Sequence, residues 1–321
     1  MSKNGRLASG PLRLGRRAVF DLDAMTSFRE FVEGFGRHEL QIGEHLRSYL
    51  LFRPDASAAG EPAPTSEPMP LVLAFHGSGV DGRQMANFCG LHELGARERF
   101  AVVYPNGTGH TSHTLSWNAG NCCGLAMLRN MDDVGFVRRI VEDVSEQLPI
   151  DASRVYAVGF SNGAMMAYRV AMELSDIFAA IAPVGGPMGF EEARPSRPVP
   201  VLHFHGTVDE FAPYEGGVGK RSVSRCNFRS AEQSVAAWVA ANGCDPTPTV
   251  ERLPSLVEDG TTVVRRHYTG GRAGSEVIFY TIEGGGHTWP GRSTPFSILG
   301  KSTKNIDASE EIWRFFQRHR L

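Results

Sequence analysis

Along most of the chain, short apolar runs of four to six residues alternate with longer segments whose apolar positions recur with helical period. The runs at 71–75, 101–104, 155–158, 180–184, 201–204 and 277–282, bounded mostly by Gly, His or Pro, predict strands, and 47–53 predicts one ahead of them. Helical spacing covers 134–148, 162–174, 231–242 and 308–318. Strands that read as continuous apolar runs, separated by helices, point to an α/β fold: a mostly parallel central sheet with helices on both faces. Chemistry is then expected at the carboxyl ends of the strands. Residues 1–40 show no strand alternation; Phe20, Met25, Phe28, Phe31, Val32 and Phe35 predict an amphipathic helix over 21–37. The expected organisation is an N-terminal extension, 1–40, followed by a catalytic domain, 41–321. The Ala-, Pro- and Ser-rich stretch 54–70 reads as a mobile loop.

Composition narrows the class without changing that layout. With 321 residues, 41% hydrophobic and 21% charged, the chain is long enough to bury about three quarters of its unfolded surface, and disorder, collagen and coiled coil are excluded. Its 33 basic and 35 acidic residues leave a formal net charge of -2, so no nucleic-acid or anionic-membrane partner is expected, only small molecules or neutral polymers. No apolar run approaches the roughly 20 residues of a membrane span. Arg16-Arg17 is followed by Asp21 and Asp23 where an export signal needs an apolar stretch. Five cysteines, Cys89, Cys122, Cys123, Cys226 and Cys244, without a legible secretory signal, predict reduced thiols and a cytoplasmic location.

The sharpest chemical signal is Gly159-Phe160-Ser161-Asn162-Gly163, directly between a predicted strand and a predicted helix. A serine on such a turn stands above the sheet, and flanking glycines let the backbone make the turn without Cβ clashes. Ser161 is the candidate nucleophile; the competing reading is a serine that only caps the helix. A serine hydroxyl needs a general base, and the base an orienting acid. Downstream, the predicted strand 201–204 runs through His205 and Gly206 into Thr207-Val208-Asp209, making Asp209 the candidate acid, with the adjacent Glu210 as fallback. The strand 277–282 runs into Gly284-Gly285-Gly286-His287, and a histidine displayed by three glycines is the candidate base.

The oxyanion formed by attack at a carbonyl would be held by backbone N–H groups, from Asn162 and from Gly77 or Ser78 in His76-Gly77-Ser78-Gly79. Trp117, Trp289, His76 and Tyr104 are candidate pocket walls, the aromatic rings offering flat faces unless they merely pack their loops. His203 and His205 share one face of a strand and either edge the core or brace the site; their H-x-H spacing lacks the companions of a metal set, so no metal and no cofactor is expected. His110 and His113 fall in a polar loop and read as solvated. Cys122 and Cys123 read as buried small hydrophobes, or as partners of Cys89 or Cys244 in an exported chain.

Together these segments resemble the poly(3-hydroxybutyrate) depolymerase-type esterases, α/β-hydrolases that include LpqC-like esterases and are similar to feruloyl and acetylxylan esterases. The resemblance spans about 47–316 and rests on Arg47-Ser48-Tyr49, Trp117-Asn118 with Cys122-Cys123-Gly124, Asp132-Asp133-Val134-Gly135-Phe136, Arg154-Val155-Tyr156, the Ser161 turn, His205-Gly206-Thr207 with Asp209 and Pro213-Tyr214, Asn242-Gly243-Cys244, and Gly285-Gly286-His287-Thr288-Trp289-Pro290-Gly291. It implies a Ser161, Asp209, His287 triad acting without cofactor on esters of hydroxyacids or of plant polysaccharides. With no export signal and no Ser- and Thr-rich binding module, small esters or soluble oligomers are the expected substrates. A serine peptidase or thioesterase on the same fold is the alternative, and a non-catalytic binding protein the remoter one.

Overall fold

The computed structural model describes residues 34–54, 67–294 and 296–321. The expected helix over 21–37 lies outside them up to residue 33, as does the Pro-rich loop over 55–66. In chain order the elements are β1 (Phe35–Ile42), β2 (His45–Phe52), β3 (Met69–Phe75), α1 (Gly82–Cys89), α2 (Leu91–Glu98), β4 (Ala101–Pro105), β5 (Thr108–Gly109), β6 (Leu115–Ser116), α3 (Gly124–Leu128), α4 (Asp133–Gln147), β7 (Ile150–Phe160) and α5 (Asn162–Glu173). They continue with β8 (Ala180–Val184), β9 (Val201–Gly206), β10 (Gly217–Val218), β11 (Asn227–Phe228), α6 (Ala231–Asn242), β12 (Thr249–Arg252), β13 (Thr262–Tyr268), β14 (Val277–Glu283) and α7 (Ala308–Phe316).

Ten strands form one sheet in the order β1-β2-β4-β3-β7-β8-β9-β14-β13-β12. The six from β4 to β14 are parallel, and antiparallel pairs close both edges. Residue after residue of β3, β4, β8 and β9 is buried, as their unbroken apolar sequences require. Helix α5 packs on β7 and β8, α1 on β3 and β4, and α7 on β8 and β9. Each buried Met, Val or Phe on these faces contributes roughly 1.5–3 kcal/mol.

Two differences from the sequence reading lie at the edges. Residues 35–40, assigned to the extension, pair with β2 as part of β1, so the sheet begins before residue 41. Strands β12 and β13 (TVER and TVVRRHY) went unpredicted because they are largely exposed or half-buried and carry charge where a central strand would be apolar. The register brings the carboxyl ends of the central strands level: Phe75 opposite Gly159, Phe160 opposite Val184, Val184 opposite Phe204, and Gly206 opposite Ile282. The chain leaving these strands therefore emerges along one edge.

Candidate active site

Ser161 is the single residue between β7 and α5, with φ 57° and ψ -120°. A non-glycine residue held there costs on the order of 1–3 kcal/mol, and the surrounding packing imposes it. A Cβ on Gly159 would lie 2.0 Å from the carbonyl oxygen of Gly163, and one on Gly163 would lie 2.2 Å from that of Phe75, so only glycine lets α5 start so close to β3 and β7. The Ser161 side chain makes no capping bond to α5, which removes the capping explanation for a serine here. Its N–H donates to Val184 O at 2.9 Å. Gly77 lies alongside: a Cβ there would be 3.3 Å from the Ser161 Cβ. Asn162 opens α5, where first-turn N–H groups lack helical partners.

His287 leaves β14 through the glycine turn and is tied back by its own N–H to Leu299 O at 2.7 Å. Its Nδ1 donates to Asp209 Oδ2 at 2.6 Å, both groups being buried. Because a carboxylate only accepts, Nδ1 carries the proton and the neutral ring keeps Nε2 as an acceptor. The ring packs against Phe160, with centroids 4.6 Å apart, and stacks on Phe211 at 5.1 Å. Gly185 closes the remaining side, since a Cβ there would be 3.4 Å from His287 Nδ1. Phe160 and the 185–186 backbone thus border both Ser161 and His287.

Asp209 accepts the N–H groups of Phe211 and Ala212 on Oδ1, each at 2.8 Å. Burial pushes its pKa up, but the neighbouring His287, the nearby His205 and the Ala212 N–H outweigh burial and hold it below the usual carboxylate value. The fallback, Glu210, is partly exposed and engaged with Arg221.

His203 and His205, on one face of β9, are joined in a directed chain of hydrogen bonds. His205 Nε2 meets Ala212 O at 2.7 Å, His205 Nδ1 meets His203 Nε2 at 3.1 Å, and His203 Nδ1 meets Tyr168 Oη at 2.9 Å. A carbonyl can only accept, so His205 donates from Nε2, His203 donates to His205, and Tyr168 donates to His203: one consistent set with both rings neutral. Burial lowers the pKa of both rings, and for each the other histidine or His287 lowers it further. The chain ends on the carbonyl of Ala212, whose N–H bonds Asp209, with His205 Nε2 3.6 Å from Asp209 Oδ2. Their i, i+2 spacing on β9 was the only signal in the sequence.

The four expected pocket walls are buried side chains. Trp117, His76 and Tyr104 are 0% exposed and Trp289 is 1%. Trp117 Nε1 donates to His76 O at 3.0 Å, and its backbone is clasped by the Asn162 amide: Trp117 N–H to Oδ1 at 2.7 Å, Nδ2 to Trp117 O at 3.2 Å. His76 donates from Nδ1 to Gly77 O at 2.7 Å and accepts Gly107 N–H on Nε2 at 3.0 Å, and burial lowers its pKa to about 4. Trp289 Nε1 donates to Ser309 Oγ at 3.0 Å, and Tyr104 Oη lies 3.4 Å from His92 Nδ1. Trp117, His76 and Trp289 thus hold the loops in which Gly77 and His287 sit. His110 and His113 are exposed, His113 meeting Asp81 at 2.9 Å. Cys122 and Cys123 are joined to each other, while Cys89 and Cys244 are free and buried, not bridged to them. No helix among the described residues is long and apolar enough to cross a membrane.

The chain matches the family model "Esterase PHB depolymerase" over residues 48–241. It is 30% identical over 301 residues to NocK of Nocardia uniformis subsp. tsuyamanensis, covering 90% of this chain and 81% of that protein. It is 27% identical over 276 residues to feruloyl esterase C of Emericella nidulans, covering 84% and 83%. Against feruloyl esterase B of Piromyces equi it is 32% identical over 178 residues, 54% of this chain but only 31% of that longer protein. The solved acetyl xylan esterase from Aspergillus awamori superposes with a TM-score of 0.55 at 15% identity, over 88% of this chain and 99% of that one, a likeness of fold. The chain thus belongs to the esterase PHB depolymerase family, as a carboxylic ester hydrolase built on the α/β-hydrolase fold.

Proposed function

We propose that the protein hydrolyses short-chain esters, 3-hydroxybutyrate oligomers, or feruloyl or acetyl esters through a Ser161, His287, Asp209 triad and an acyl-enzyme. The observation that carries this reading is the 2.6 Å His287–Asp209 bond beside a serine held on a strained strand-to-helix turn. Ser161 Oγ attacks the ester carbonyl carbon while its proton passes to His287 Nε2. Asp209 keeps the ring in the tautomer that leaves Nε2 free and stabilises the imidazolium. The N–H groups of Asn162 and of Gly77 or Ser78 hold the oxyanion. His287 then returns the proton to the departing alcohol, and water repeats the cycle on the acyl-enzyme, releasing the acid and restoring Ser161. The feruloyl esterase relatives support the substrate range.

The test is turnover of p-nitrophenyl esters from acetate to long chain, methyl ferulate and 3-hydroxybutyrate oligomers, with Ser161→Ala as control. The variant should stay folded, lose about 10⁴-fold or more in kcat/KM, and no longer label with a serine-directed phosphonate. Substantial ester turnover by the variant would remove Ser161 from the mechanism. Faster turnover of thioester or amide analogues by the wild type would move the substrate class to the thioesterase or peptidase alternative.

A further inference from the structure

Three sulfur atoms meet where the Trp117–Cys123 loop touches the β10–β11 hairpin. Those of Cys122, Cys123 and Cys226 all lie within 4.8 Å of one another. Cys122 and Cys123 are buried and joined, whereas Cys226 is a half-buried free thiol. They belong to two segments, each tied to a different residue next to the candidate triad. Cys122 and Cys123 end the loop that Asn162 clasps at Trp117, next to Ser161. Cys226 immediately precedes β11, in the β10–β11 hairpin, whose Arg221 is bound to Glu210 by both backbone and side chain. Glu210 sits between Asp209 and Phe211, the residue stacked on His287.

The hairpin is already seated on the loop by weak bonds. Cys226 Sγ donates to Asn121 O at 2.9 Å, Asn121 Nδ2 donates to Asn227 O at 3.3 Å, and Cys122 Sγ lies 3.8 Å from Ser224 Oγ. Ser224 precedes Cys226 by two residues, so Cys122 Sγ touches the hairpin next to Cys226.

We propose that these cysteines form a thiol–disulfide exchange site that moves one disulfide from within the Trp117–Cys123 loop to a bridge between that loop and the hairpin. The Cys226 thiolate attacks Cys122 Sγ; the Cys226–Cys122 bond forms as the Cys122–Cys123 bond breaks, and Cys123 leaves as a thiolate that takes up the proton Cys226 gave up. One disulfide is present before and after, so no oxidant or reductant is consumed. The bridged isomer straps the Asp209 side of the site to the Ser161 side, limiting how far the hairpin can open for a bulky ester. Burial raises the Cys226 pKa, so exchange should quicken with rising pH.

The test is disulfide mapping of the full chain, purified without reductant, held at pH 6 to 9, acid-quenched, alkylated and digested with trypsin. Cys226 then falls in the peptide 226–229, and Cys122 and Cys123 in 100–129. Two isomers are expected: 226–229 alkylated, and 226–229 linked to 100–129, the linked form appearing faster at high pH. A 226–229 peptide that stays fully alkylated at every pH, or three cysteines recovered as free thiols, overturns the proposal. Cys123→Ser, treated with oxidised glutathione, leaves Cys122–Cys226 as the nearby pair. It should yield the linked peptide and lower kcat/KM for a bulky ester about fivefold relative to acetate, reversibly with dithiothreitol. Absence of the linked peptide, or equal effects on both esters, also counts against it.

Discussion

Two buried aspartates lie towards the same end of the sheet, and their partners differ. Asp133 opens α4, bonds Arg47 Nη2 at 2.7 Å and accepts the Asn118 N–H at 2.7 Å. Asp209 bonds His287 at 2.6 Å and accepts two N–H groups at 2.8 Å. Both carboxylates are 0% exposed, yet their pKa values move in opposite directions. For Asp133, burial prevails over Arg47 and the Asn118 N–H, and the pKa rises. For Asp209, the donors prevail over burial, and it falls. The partner decides the use. A guanidinium does not give up its proton, and Arg47, lying over the Phe136 ring at 4.2 Å, clamps the start of α4 to β2 and to the Trp117–Asn118 loop. An imidazole hydrogen-bonded through Nδ1 keeps a second nitrogen for proton transfer.

The largest effect that can break this comparison is Asp209→Asn. It should lower kcat/KM about 10³- to 10⁴-fold with the fold retained, because the amide no longer enforces the His287 tautomer. Asp133→Asn should do the reverse: activity per folded molecule within a few-fold of wild type, but a stability loss of about 3–5 kcal/mol by urea unfolding, because Arg47 is left buried and uncompensated. If Asp133→Asn lost as much turnover as Asp209→Asn, the division of labour would fail. Replacing both members of the pair, Arg47→Met with Asp133→Leu, should cost less than the single change.

Next in size is the pH dependence of stability. The His76 pKa is depressed from 6.5 to about 4, so the unfolded chain binds a proton there before the folded one does. Stability is therefore fully present above pH 6.5 and is lost as pH falls from 6.5 through 4, by up to roughly 3 kcal/mol from His76 alone. The lowered values of His203 and His205 act with the same sign. Urea midpoints at pH 7.5, 5.5 and 4 measure this, and a midpoint that holds steady or rises on acidification contradicts it. The smallest effect is Tyr168→Phe, which takes the first donor from the histidine chain. Stability should drop by about 1–3 kcal/mol as a buried acceptor loses its partner, with kcat/KM changed less than about threefold. A larger loss of turnover would make the chain part of the proton chemistry rather than a brace for the Asp209 turn.

What could be read beforehand follows from how local each signal is. The Ser161 turn was legible because strand, glycines and helix are all within a few residues of it. Asp209 and His287 were legible because each follows a strand end, and parallel strands deliver such positions to one edge. The burial of Trp117, Trp289, His76 and Tyr104 was not legible, because exposure depends on which distant segment packs against a ring. For Trp117 that segment includes Phe75, His76 and Asn162. Strand β1 was hidden because its residues are only half-buried or exposed, so the apolar spacing read as helical up to residue 37.

The sequence by itself determined the element types of the central sheet, the strained serine turn and the order of the three candidate groups, since periodicity and glycine sterics act over a few residues. Only the tertiary structure decided which buried aspartate faces an imidazole, which tautomers the histidine chain adopts and which cysteines meet. Hydrogen-bond direction and burial are set by partners distant in sequence: 78 residues separate His287 from Asp209, and 86 separate Arg47 from Asp133.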